Sequence, residues 1–178
     1  MKGVRLRLLL AGFALAVATQ SVNGGEGMLT KSKKKERGQP TETHALVYIV
    51  RPQSLGGFVR FWAYADEVFM AVTRGESYSF ALVPEGERLF WSRGETITTL
   101  RKTVKAGETY YLRQEVNMGA AMARVRLIPV SEAEGEKAIK GTKYAVPTES
   151  GRQRAAEISD EFWNSLLHPE EFIDEPEE

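Results

Sequence analysis

From Ala45 to Val130 the chain is cut into short apolar runs by turn-forming clusters, at a spacing of roughly ten residues. ALVYIVR (45–51) is an unbroken β-branched and aromatic run that Pro52 stops, which suits a strand buried on both faces. Gly56 and Gly57 open GFVRFWAYAD, and a tight turn at Asp66 and Glu67 leads into VFMAVT. In SYSFALV the large residues Tyr78, Phe80 and Leu82 alternate with small ones, the period of two of a strand with one apolar face. Pro84, Glu85 and Gly86 then predict a hairpin turn into ERLFWSR, since Pro presets φ and Gly tolerates positive φ. ITTLRKTVK, TYYLRQEV and MARVRLIPV complete the series. The pattern predicts an all-β domain, an antiparallel β-sandwich of about seven or eight strands.

Periodicity changes after Val130. SEAEGEKAIKG predicts one or two helical turns, weakened by Gly135. Between Gly151 and Leu167, Ile158, Phe162, Trp163, Leu166 and Leu167 fall on one helical face, and Pro169 ends the run, so the domain carries a C-terminal amphipathic helix. The stripe either docks on the sheets or binds a partner. Four parts follow: 1–24 a signal peptide, 25–43 a disordered basic linker, 44–135 the sandwich, and 136–178 a helical extension with an acidic tail.

Most of the aromatic residues lie in the strand region, and a domain of this size needs them as core. The alternative is a carbohydrate-binding sandwich in which two or three of Trp62, Tyr64, Trp91 and Tyr111 stand exposed in a row.

The first 24 residues have the layout of a secretory signal: Lys2, Arg5 and Arg7, then the apolar run Leu8–Ala18. That run is short of the roughly 20 residues a bilayer crossing needs. Cleavage fits after Ala18 or after Gly24. The chain has no cysteine, which excludes disulfides, thiolate metal sites and a lipid anchor at the end of the signal. The expected location is periplasmic or secreted, with no transmembrane anchor after cleavage.

Basic and acidic residues balance at 24 each, so no net field gathers nucleic acid. The basic run from Lys31 to Arg37 reads as a solvated tail, or as a weak attraction to anionic lipid. Arg51, Arg60, Arg93, Arg101, Arg113, Arg124 and Arg126 lie in or beside strands and read as a charged outer face, with an anion-binding sheet surface as the alternative.

The two histidines, His44 and His168, sit at opposite ends of the structured part, which argues against a histidine dyad or a zinc site. Ser32–Lys35 matches S-x-x-K only formally, within the linker. Glu85 and Glu87 flank a turn glycine and read as solvated, and GGEG at 24–27 lacks the flanking strand and helix of a phosphate loop. No catalytic residue, metal site or cofactor is expected.

ALVYIVRPQSLGG, the strand ending in Asp66, SYSFALVPEGE and AGETYYLRQEV together resemble the DUF2846 family of bacterial exported proteins, over about Ala45–Gly135. The VPEGE return also resembles hairpins of PEGA and transthyretin-like sandwiches. The chain departs from the family in lacking a lipobox cysteine and in having Glu67 where glycine is usual. The resemblance implies export and a sandwich fold, and carries no catalytic residues. The expected function is therefore a non-catalytic exported module that binds or scaffolds an envelope protein or glycan, in an oligomeric state left open; a carboxylate-dependent hydrolase is the remaining alternative.

Overall fold

The computed structural model describes residues 27–118 and 123–168; the expected signal peptide and the acidic tail lie outside them. In chain order the elements are β1 (Leu29–Ser32), β2 (His44–Arg51), β3 (Phe61–Ala65), β4 (Val68–Thr73), β5 (Ser77–Pro84), β6 (Gly86–Arg93), β7 (Ile97–Val104), β8 (Thr109–Met118), β9 (Ala123–Val130), α1 (Glu132–Gly141), β10 (Lys143–Pro147) and α2 (Glu149–Leu167). The strands form two sheets, ordered β1-β10-β5-β2-β8-β9 and β4-β3-β6-β7. The fold is thus mainly β with a C-terminal helix. The two short strands β1 and β10 fall in stretches expected to be linker and helical extension.

Two expectations about connectivity are corrected. The first sheet is mixed: β2 pairs parallel with β8, and β10 parallel with β5. Between β2 and β8 the chain passes through all four strands of the second sheet and through β5, and it returns on the free edge of β2 in the same direction, a crossover a hairpin cannot make. Pro84–Gly86 is also no hairpin. β5 belongs to the first sheet and β6 to the second, so the turn is a corner where the chain changes sheets. Gly86 supplies the positive φ of 116°. Arg88 staples the corner, donating through Nε to the Pro84 carbonyl at 3.0 Å and through Nη1 to Asp66 Oδ2 at 3.2 Å.

β2 is buried on both faces, as its unbroken apolar run predicts. Ala45, Val47 and Ile49 enter a core cluster shared with Ala63, Ala71 and Phe90 of the second sheet and Leu112 of the first. Leu46, Tyr48 and Val50 point the other way, into a cluster with Tyr78, Tyr111 and Ile139 of α1. Each fully buried large side chain contributes about 1.5–3 kcal/mol, so a strand packed on both faces anchors the whole first sheet. A polar bridge crosses between the sheets: Gln114 of β8 donates to Ser92 Oγ of β6 at 2.9 Å, and the Thr73 hydroxyl of β4 donates to Gln114 Oε1. All three side chains are buried and hydrogen-bonded, so the bridge fixes how the sheets sit without leaving a stranded dipole.

Each helix covers a different sheet. α1 starts with a capping box, Ser131 and Glu134 bonding each other's backbone, and lays Ile139 on the first sheet. Gly135 does not shorten it. A Cβ there would collide with the Tyr111 ring, so the glycine lets the helix approach the aromatic surface closely. α2 is capped by Thr148, whose hydroxyl accepts from Gly151 N–H at 3.1 Å, and covers part of the second sheet.

The stretch expected as a disordered linker is bonded to the fold over its described part. β1 pairs antiparallel with β10, and Thr148 Oγ1 donates to the Gly27 carbonyl at 2.8 Å. Lys35 Nζ reaches the end of α1, donating to the carbonyls of Ile139 at 2.9 Å, Lys140 at 3.2 Å and also Thr142. Arg37 forms a two-bond ion pair with Glu136 at 2.6 and 2.8 Å. Carbonyls at a helix C-terminus attract cations such as Lys35, and Lys31 Nζ donates to the Gly75 carbonyl between β4 and β5, so three of the basic residues read as a solvated run are bonded to the fold.

Candidate functional site

The four rings weighed as an alternative exposed row do not form one. Tyr64 of β3 and Trp91 of β6 stack with centroids 3.9 Å apart and planes 8° apart, and both are buried. Phe162 of α2 closes over Trp91 at 4.1 Å, with Ile158 and Ala155 beside it. The Tyr64 hydroxyl donates to the Ala155 carbonyl at 2.8 Å, and Trp91 Nε1 donates to the Asp66 carbonyl at 2.8 Å. Burial pushes the Tyr64 phenol well above its ordinary value. Trp62 packs half-buried against the same group. Tyr111 lies in the other sheet, stacked on Tyr48 at 5.2 Å under α1, with its hydroxyl on Glu136 at 2.8 Å. Three of the four rings therefore share the surface under α2, and the fourth is elsewhere. The physical reason is the stripe of α2, whose buried residues Ala155, Ile158 and Phe162 pack on the stacked rings and cover them.

The two residue sets singled out in the sequence thus meet each other. Of the helix residues, Ile158 and Phe162 face the sheet, and Trp163 sits edge-on to Phe162 at 5.1 Å. Leu166 and Leu167 are exposed. An ion pair between Arg93 and Glu161 at 2.6 Å closes one flank.

The other polar groups are mostly committed to the fold. Glu85 and Glu87 are exposed at the sheet-changing corner, and Lys35 holds α1. A cleft of about 390 Å³ between α1 and β2 contains Arg113, whose guanidinium is paired with Glu115 at 2.6 Å. The Arg37 guanidinium beside Glu136 holds that carboxyl below its ordinary value. Among the described residues no three His, Asp or Glu side chains gather as a metal site would require.

The most conspicuous feature was not foreseen: the loop Pro52–Arg60 between β2 and β3. Arg51, the last residue of β2, is completely buried and has no carboxylate partner among the described residues, which corrects its place on a charged outer face. Its guanidinium donates to the carbonyls of Val59 at 2.8 Å, Leu55 at 3.0 Å and Gly56 at 2.8 Å, and lies 4.6 Å from the Phe61 ring centroid. Desolvation brings its pKa down to about 10, so it stays charged at neutral pH. Gln53 Oε1 accepts from Val116 N–H at 2.8 Å, which ties the loop to β8. Gly75 presses against Gly57, where a Cβ would touch backbone. The loop is thus held from inside while its tip faces out: Phe58 is 93% exposed and Leu55 50%. The one sequence signal was an apolar residue on each side of Gly56–Gly57, a turn presenting hydrophobic side chains.

Comparison with known proteins adds one distant relative. The chain is 23% identical over 147 residues to an uncharacterized protein of Haemophilus influenzae, covering 82% of this chain and 88% of that one. No family model matches the chain, and no solved structure matches it.

Proposed function

We propose that the chain is an exported, non-catalytic binding or scaffolding module of the bacterial cell envelope, its two sheets forming a β-sandwich like that implied by the DUF2846 resemblance. The observation that carries this reading is the loop 52–60. A charge buried without a counter-charge is costly, and here its hydrogen bonds hold a loop whose apolar tip stays in solvent. Exposed apolar side chains on a rigid scaffold are the usual form of a contact surface. The signal-like leader and the bacterial relative support the location. A photo-crosslinking amino acid at position 58, activated in cells, should give an adduct in the envelope fraction that the same probe at Leu82, on β5, does not. Equal yields at the two positions would remove the loop from the function.

A carbohydrate-binding reading is kept for one observation. Beside α2, Trp163 shares a cleft of about 400 Å³ with Glu67, Ser159, Asp160 and Asn164, and its indole N–H is buried with no partner among the described residues. A half-buried ring beside amide, hydroxyl and carboxylate groups suits a sugar. Saturable quenching of tryptophan fluorescence by an oligosaccharide, abolished in Trp163→Phe, would support it.

A further inference from the structure

We infer that the loop 52–60 docks on an anionic phospholipid surface, Leu55 and Phe58 entering the headgroup boundary while Arg74, and Lys31 through the N–H groups left over from its bond to the Gly75 carbonyl, face the lipid phosphates. The inference rests on the proposal that this loop is the contact surface, and names its partner. Phe58 borders a pocket of about 320 Å³ lined also by Lys31, Ser54, Gly57, Arg74 and Glu76. Glu76 is the single carboxylate against two cations in that lining. Burial and Arg74 lower the Lys31 pKa, Glu76 opposes them, and Lys143 and Arg51 add smaller lowering contributions. A cationic pocket directly beside an exposed aromatic is what an interfacial anchor requires: apolar tip into the acyl boundary, cations on the phosphates around it.

Three features favour a lipid surface over a protein groove. The apolar area is small, two side chains at one tip, whereas a protein interface of standard size needs on the order of 800 Å² per partner. The pocket beside the tip is net positive, Lys31 and Arg74 against Glu76. The loop is preorganised by Arg51, so docking costs little ordering entropy.

The test is flotation of the full chain with phosphatidylglycerol vesicles and with phosphatidylcholine vesicles. Variants of the same full chain are compared, so any contribution from its apolar leader cancels. Binding to the anionic vesicles should fall about tenfold in Leu55→Ser/Phe58→Ser, which withdraws the apolar tip. It should also fall about tenfold in Arg74→Glu, which removes one cationic contact and adds a repulsive one. Arg101→Glu, the same charge change on β7, should leave it unaltered, and raising salt to about 0.5 M should weaken the wild type, since screening shortens the reach of the phosphates. All the substituted side chains are exposed or partly so, and unchanged melting temperatures will show that the variants are folded. Equal flotation of wild type and both loop variants, or the same loss in Arg74→Glu on the two lipids, would overturn the inference. A protein adduct at position 58 without vesicle binding would overturn the lipid partner and keep the binding module; neither adduct nor flotation would remove both.

Discussion

The two helices cover opposite sheets by different means. α2 is held by rings and aliphatic groups: Ile158 and Phe162 press on Tyr64 and Trp91, and the polar contacts around them close the edges. α1 presents one large apolar anchor, Ile139, and is otherwise tied by polar groups, Lys35 on its C-terminal carbonyls and Arg37 on Glu136, which come from about 100 residues upstream. One cover is a property of the helix's own sequence. The other depends on a strap that shows no periodicity at all.

The sharpest way to break the comparison is Phe162→Ala. It opens a hole between α2 and Trp91 and should cost about 3 kcal/mol, the lower end for removal of a buried ring, with greater solvent exposure of the tryptophans. A loss under about 1 kcal/mol would mean that α2 is only laid against the sheet. Lys35→Met keeps the aliphatic stem and removes the ammonium. It should cost about 0.5 kcal/mol, and hydrogen exchange should quicken at the end of α1 while α2 is untouched. An even response in both helices would show that they are not independently held.

The smallest effect concerns acid. In the folded chain the Glu136 carboxyl sits below 4.5 because Arg37 bonds its charged form. Its contribution is complete above that ordinary value and is lost as pH falls through the lower folded one. Wild type should therefore lose stability below about pH 4.5 more steeply than Glu136→Gln, by chemical denaturation at each pH. Parallel curves would show that the ion pair, being partly exposed, adds nothing.

Much of the fold was legible because burial writes a period into the chain. The unbroken run of β2 marked a strand covered on both faces, and the spacing of Ile158 and Phe162 marked the inner face of α2. What failed were features that local pattern does not encode. Pro84, Glu85 and Gly86 have the same turn chemistry whether they join hairpin strands or turn the chain between sheets. Lys35 looks like any solvated lysine until the α1 carbonyls are placed beside it. The stacking site was misplaced for a related reason: Tyr64 and Trp91 do form a platform, and the occupant of that platform is the chain's own helix. Arg51 offered no warning, since a strand-end arginine ordinarily faces water, and only the curl of the following loop brings its three carbonyls together.

The central claim is that the aromatic surface is closed while the tip of the loop proposed as the contact surface stands open to solvent. Hydroxyl-radical footprinting of the native chain reads both halves at once. Phe58 and Leu55 should be among the fastest-modified apolar side chains, with Tyr64, Trp91 and Phe162 protected until the chain unfolds. Modification of Tyr64 and Trp91 as fast as that of Phe58 would contradict it.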